Sequence, residues 1–372
     1  MVKKVLILGG GFAGCAVAMM LAGRSGYEVT LLDSGGNLGA GVRTFFRGGH
    51  PYTFGPRHFL TQNQKAFDYL NAIVPMRLCA EHEFRTYIED DEKFYSYPIH
   101  YDDIAGMPDA GKIYNEIEHC NSVAQKSKTL EQYWVQSVGV TLYNKFINSY
   151  SKKMWDVANN NEIDDFGWSP KGVALKKGPR AAWDTAISAY PVAIDGYNRF
   201  FELVAERIDN LLFHHSVQRA DYDQRIVYTD KGSHSYDILV STISPDIIAE
   251  YRYGELPYMG RDIETIVLPV EFALPQNVYF CYYAGKEKYT RVTEYKKFYK
   301  YQSSSTLISI EYPSKNGRHY PMPFEIEYSR ANKYFFDMPD NVFSIGRAGS
   351  YRYSVDIDDC LLQAMDVVEK LG

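Results

Sequence analysis

Cysteine is scarce in this chain, and its spacing offers no disulfide framework or metal site. Cys15, Cys79, Cys120, Cys281 and Cys360 stand far apart and are odd in number. No CxxC pair or Cys/His cluster at metal-ligand spacing occurs, so a reduced, cytoplasmic chain without structural zinc is expected. Charge of one sign is also lacking. The balance of 40 Lys+Arg against 46 Asp+Glu gives −6, which argues against a nucleic-acid binder with its basic stripe. No apolar run reaches the roughly 18 residues of a membrane span. The basic pair and apolar run at the N-terminus look superficially like a secretory leader, but Gly9, Gly10 and Gly11 cut that run after four residues, too short for one. Internal repeats and low-complexity segments are missing.

What is present is a large apolar inventory. At roughly 100–200 residues per domain, 372 residues allow two or three compact units. The 23% charged and 45% apolar composition excludes intrinsic disorder. Tyrosine is over-supplied, 32 beside 20 Phe and 4 Trp. Most of these rings serve ordinary core and surface positions, but the excess suggests a large cleft lined by rings with polar tips.

The first 33 residues carry the sharpest pattern. Val5-Leu6-Ile7-Leu8 reads as a buried parallel strand. The run Gly9-Gly10-Gly11-Phe12-Ala13-Gly14 matches GxGxxG, and Cys15 to Leu21 continues as a small-residue helix. Glu28 to Asp33 is a second strand ending in an acid, at the spacing of a residue that grips a ribose hydroxyl. Gly9 makes the tight turn, Gly11 admits a pyrophosphate to the backbone, and Gly14 lets the helix approach the strand. The helix start at Phe12 and Ala13 offers unpaired N–H groups to the anion. These parts together predict a dinucleotide site. A second glycine-rich loop, Ser34 to Thr44 with Gly39 and Gly41, follows the acid directly. It resembles the flavin-binding signature of amine-oxidase-like flavoproteins and favours FAD over NAD.

Residues 102–190 are predicted to be rich in helix, with Leu142, Phe146, Ile147 and Tyr150 at helical intervals. A helix is expected over Arg199 to Leu212. A buried strand over Tyr236 to Thr242 should rejoin the first sheet, and residues 266–309 read as β-rich, turning near Gly285 and Lys286. Val342 to Arg347 reads as a strand, and Asp358 to Leu371 as a closing helix. The expected fold is α/β: a Rossmann-like FAD-binding domain (1–80, 200–248 and 338–372), a helical insertion (98–187) and an antiparallel sheet domain (81–97, 188–199 and 249–337).

Several segments, in order, resemble the UDP-galactopyranose mutase family of flavoenzymes over nearly the full length. They are the Gly9–Gly14 loop; Gly55-Pro56-Arg57-His58-Phe59-Leu60-Thr61; Ser149-Tyr150-Ser151-Lys152-Lys153-Met154-Trp155; Tyr251 to Tyr258; Tyr289 to Lys296; Glu311-Tyr312-Pro313; and Gly346-Arg347. The resemblance implies interconversion of the pyranose and furanose rings of a nucleotide sugar, UDP-galactose by default. Reduced FAD acts through an N5–sugar adduct, with NAD(P)H or another reductant supplying electrons. It further implies Arg291 and Arg180 on the leaving diphosphate, and Arg347 beside the flavin. Phe146 and Tyr150 would stack on the base, with Trp155 and Tyr190 lining the site and Tyr320 and Tyr351 touching the diphosphate. A homodimer is a family expectation.

Departures from the family pattern cluster where flavin and sugar meet. Arg57 stands for a histidine and Leu60 for another. His58 is adjacent, on the other side of an extended strand. His100 replaces an asparagine in the sugar site, Gly41 another in the second loop, and Ser354 a tyrosine. The acid of that last run is absent at Val355 or displaced to Asp356. Arg57 and His58 are therefore the catalytic candidates at the flavin, and the departures leave two outcomes open: the chemistry is kept with a different sugar or nucleotide, or mutase activity is lost. The rival reading is an amine-oxidase-like FAD oxidoreductase working by hydride transfer.

Overall fold

A computed structural model describes residues 2–120, 126–170 and 172–372. The N-terminal pattern folds as its glycines dictate: strand β1 (Lys3–Leu8), helix α1 (Phe12–Leu21) and strand β2 (Tyr27–Asp33). Helix α1 has no polar face, and nine of its ten residues are buried. Such a helix must be covered on all sides. It lies against the sheet, the helix Asn198–Arg207 and the C-terminal helix Ile357–Leu371. The sheet is parallel throughout, in the order Asn210–Phe213, β2, β1, Ile238–Ser241, Val342–Ser344. Val5 pairs with Ile238 and Leu8 with Ser241. A Rossmann-like unit is thus assembled from distant parts of the chain.

One expected helix is shorter. Over Arg199 to Leu212 the helix ends at Arg207, where Ile208 turns to ψ 155°. Leu211 and Leu212 then pair with Leu31 and Leu32 as the outermost strand of the sheet. Their apolar side chains fit a helix stripe or a parallel strand equally well, and the open edge of β2 decides.

A second sheet has seven strands, in the order Tyr320–Pro321, Tyr258–Leu268, Thr306–Ser314, Arg291–Glu294, Val278–Tyr283, Glu83–Ile88, Lys93–Tyr97. It is mixed rather than purely antiparallel, because Val278–Tyr283 runs parallel to Glu83–Ile88. No tight hairpin joins these two strands, which meet from far apart in sequence, so nothing forces them antiparallel. Strands Val278–Tyr283 and Arg291–Glu294 form a hairpin that turns through Gly285 and Lys286.

The helical layer comprises Ala110–Glu118, Leu130–Tyr143 and Ser149–Trp155. A π-helical turn, Asn144–Asn148, links the last two. Helix gives out after Glu162, so among the described residues the far end of the predicted helix-rich stretch carries no helix before the strand Ile187–Pro191. Trp134, Leu142 and Trp155 centre a second core that reaches Met259 and Tyr320 of the large sheet. A cavity lies where the Rossmann unit, the sheet and these helices meet.

Candidate active site

Three chain segments supply the nucleotide end of this cavity. Gly9 is left-handed at φ +95°, and a Cβ there would stand 2.4 Å from Thr242 Oγ1. A Cβ on Gly14 would stand 2.0 Å from the Gly9 carbonyl oxygen, so α1 crosses β1 at a distance only glycine permits. Gly11 differs. A Cβ there would meet nothing nearer than Ala40 Cβ at 3.9 Å, so the space it leaves belongs to the cavity. It also begins α1 with no side-chain cap, leaving backbone donors for an anion. Asp33 accepts from Gly10 N–H at 2.7 Å with one oxygen and from Gly35 N–H at 2.7 Å with the other. It thereby braces both glycine loops from behind. Gly39 is left-handed, its Cβ position 2.5 Å from the Phe201 ring. Gly11, Phe12, Ala13, Gly39, Thr242 and Gly346 border a cavity of about 460 Å³. The loops therefore suit an extended dinucleotide, with its pyrophosphate at the start of α1.

The opposite wall is aromatic. Phe146, Tyr150, Met154 and Trp155 face the cavity from the π-turn and the helix after it. The Tyr150 ring meets Tyr282 edge-on at 5.5 Å, and Trp155 meets Tyr353 at 4.8 Å. Between the two ends stand five arginines: Arg57, Arg261, Arg291, Arg318 and Arg347. Their fixation follows a common scheme, with donors spent on a partner behind each guanidinium. Arg291 forms a two-pronged pair with buried Glu311, Nε to Oε1 at 2.7 Å and Nη2 to Oε2 at 2.6 Å. Arg261 Nε is 4.0 Å from the same carboxylate, and its Nη1 donates to Thr290 Oγ1. Arg347 donates to the Val355 carbonyl and to Asp356 Oδ1. Arg318 spans both oxygens of buried Asp246 at 2.9 Å. Arg57 donates Nε to the Gly41 carbonyl at 3.1 Å.

This cluster acts on its neighbours. Burial would raise the Tyr320 phenol, but Arg57, Arg261 and Arg347 outweigh it and bring it down to about 8. Burial, then Arg57 and Arg261, lower the His319 imidazole. The field of the cavity is cationic, suited to phosphate groups.

Of the sequence candidates, the structure brings Gly11, Phe12, Ala13, Gly39, Arg57, His58, Phe146, Tyr150, Trp155, Arg291, Tyr320 and Arg347 to this one cavity. Arg57 and His58 both reach it, contrary to the expectation of opposite faces, because regular strand begins only at Phe59. Val355 and Asp356 both border the cavity, and Asp356 pairs with Arg347 and caps the last helix. Other candidates stand away from the lining. Arg180 is paired with Asp103 at 2.6 Å and is one-third exposed. His100 is buried between the Gly178 carbonyl and the Asp102 N–H. Tyr190 is wedged between Phe298 and Tyr299. Tyr351 is fully buried and donates to the Pro257 carbonyl. Gly9, Gly14 and Asp33 shape the loops rather than the lining.

Sequence reasoning missed Arg261, His319, Tyr282 and Tyr353. Arg261 lies three residues beyond the Tyr251–Tyr258 segment, in a strand that also carries Asp262 and Glu264, so its charge gave no distinguishing signal. Tyr353 was hidden beside Tyr351. Among the described residues, no helix is long and apolar enough to cross a membrane, and no group of three or more His, Cys, Asp or Glu could hold a metal ion.

Comparison with known proteins extends this picture. Residues 7–73 match the NAD(P)-binding Rossmann-like domain. A protein of Klebsiella pneumoniae described as "probable UDP-galactopyranose mutase" is 22% identical, over 99% of this chain and 94% of that one. A dTDP-fucopyranose mutase of Escherichia coli is 24% identical, over 99% and 98%. The crystal structure of a reduced UDP-galactopyranose mutase superposes with a TM-score of 0.84 at 16% identity, covering 100% of this chain and 95% of that one. At that identity the likeness speaks for the fold: a Rossmann-like unit with a helical insertion and a mixed sheet. The UDP-galactopyranose mutase family model matches residues 145–353, more than half of the chain, and the chain belongs to that family.

Proposed function

We propose that this protein is a flavin-dependent mutase that interconverts the pyranose and furanose forms of a nucleotide sugar, UDP-galactose or a relative. The observation that carries the reading is the arrangement of one cavity. Dinucleotide loops close one end, rings line the other, and arginines fixed from behind stand between them. Gly11–Ala13 and Gly39 would hold FAD, which, kept reduced by NAD(P)H or another donor, would supply a nucleophile for the anomeric carbon. The chain's own residues do the rest. Tyr150, Phe146 and Trp155 offer the nucleobase a flat apolar surface. Arg291, with its fork set by Glu311, and Arg261 hold the diphosphate as negative charge develops on it. Donors fixed in advance act most strongly at that moment. Arg180 joins them only by releasing Asp103. Arg57 and His58 face the sugar and flavin, and the exchange of a family histidine for Arg57 alters what the sugar pocket recognises.

The test is incubation of dithionite-reduced protein with a panel of UDP-, dTDP- and GDP-sugars, with ring isomers followed by chromatography. The expected result is furanose product without net consumption of reductant or oxygen, and none from oxidised protein. Turnover that consumes oxygen in proportion to product would instead identify a hydride-transferring oxidase. Arg291→Ala should keep its flavin yet lose about 10²–10³ in kcat.

A further inference from the structure

Lys153 stands on the helix Ser149–Trp155 with its side chain only 15% exposed. Its Nζ donates to three backbone carbonyls, those of Tyr283 at 3.0 Å, Gly285 at 3.2 Å and Glu287 at 2.7 Å. An ammonium has three N–H donors, so each carbonyl takes one. Tyr283 ends the strand Val278–Tyr283, and Gly285 and Glu287 lie in the turn that leads from it to Arg291–Glu294. The Glu287 carboxylate, 3.8 Å away, adds a counter-charge. Burial nevertheless pushes the Lys153 ammonium down to about 8. A desolvated cation with every donor committed to one hairpin is a tether between two elements.

Both tethered elements line the cavity. The helix contributes Tyr150, Met154 and Trp155. The hairpin contributes Tyr282 and Arg291, which pair across its two strands. We propose that Lys153 is a positioning residue that fixes the distance between the aromatic surface for the nucleobase and Arg291, so that base and diphosphate are gripped together. The proposal rests on the reading of the cavity as a nucleotide-sugar site. Its physical basis is preorganisation. A ligand that spans two rigidly spaced subsites gains from both at once, whereas a ligand that fills one gains nothing from their spacing.

Calorimetric binding to the flavin-loaded protein separates these cases. The probes are UDP and dTDP, which span both subsites, and uridine, thymidine and inorganic pyrophosphate, which each fill one. In Lys153→Met the affinity for the better nucleoside diphosphate should fall by about tenfold or more, while each half-ligand changes by less than about twofold. The flavin spectrum should be unchanged. Unaltered diphosphate affinity in the variant overturns the proposal and leaves the nucleotide-site reading standing. So does a parallel loss for all probes, which marks general loosening. Absence of nucleoside diphosphate binding by the wild type overturns both. Should Lys153→Met lose its flavin or precipitate, Lys153→Gln, which keeps donors but not charge, is measured against the same outcomes.

Discussion

The Arg291–Glu311 pair is the member of the cavity most open to a quantitative test. Glu311 is 1% exposed and receives two hydrogen bonds from Arg291, with Arg261 Nε 4.0 Å away. Glu311→Gln preserves shape but leaves two buried guanidiniums facing a neutral amide. Removing one partner of a buried ion pair costs about 3–5 kcal/mol. The retained amide oxygen keeps one acceptor, so a value of about 3 kcal/mol is expected. At roughly 2–4 °C per kcal/mol for domains of 150–250 residues, the Tm at pH 7 should fall by about 6–12 °C. The pH dependence gives an independent check. Burial raises the Glu311 carboxyl, but Arg291, then Arg261 and Arg57, hold it below its ordinary 4.5. A depressed carboxyl contributes stability that is fully present above 4.5 and is lost as pH falls through the folded value. The Tm gap between wild type and Glu311→Gln should therefore be constant from pH 5.5 to 7.5 and shrink below pH 4.5. Uncompensated cations also bind anions, so pyrophosphate should stabilise the variant more than the wild type. Differential scanning calorimetry at several pH values measures all three effects. A variant within about 2 °C of wild type at pH 7, with no narrowing in acid, would show that this pair does not brace the site.

Three further outcomes follow from the same geometry. Gly14→Ala places a Cβ 2.0 Å from the Gly9 carbonyl oxygen, so α1 must shift and the protein should purify without its yellow colour; normal flavin content refutes the loop assignment. One phenol should titrate at 295 nm with a midpoint near 8, because the arginines lower Tyr320 to about 8; the step should be missing from Tyr320→Phe and move to higher pH when pyrophosphate adds negative charge. Arg57→His should raise kcat/KM for UDP-galactopyranose relative to the preferred nucleotide sugar, and wild type working best on UDP-galactose at ordinary efficiency would make the Arg57 exchange neutral.

The first strand, the glycine loop, the second strand and its acid were legible because their logic is local. A left-handed φ at Gly9 and a close helix crossing at Gly14 are demands on single residues, and only one residue type meets them. Asp33 was identified by spacing, although its visible work is to accept backbone N–H groups from both glycine loops. The β-rich character of residues 266–309, with its turn near Gly285, was equally plain, although the first strand there already begins at Tyr258 and the later helix Glu325–Phe336 gave no such signal. The parallel pairing of Val278–Tyr283 with Glu83–Ile88 was not, since strand direction depends on which edge is free when distant segments meet.

Side-chain roles divide along the same line. The sequence by itself determined a Rossmann-like nucleotide site, a chain rich in aromatic rings, and a family likeness carried by short motifs in order. It could not distinguish Tyr351 from Tyr353, two residues apart, of which one is buried against the Pro257 carbonyl and the other lines the cavity. Nor could it tell that Arg180 is spent on Asp103 while Arg261, in no motif, shares Glu311 with Arg291. Only the tertiary structure decided these. A backbone conformation is dictated by the residue that adopts it, whereas the work of a charged side chain depends on which opposite charge the fold sets beside it, and that partner lies anywhere in the chain.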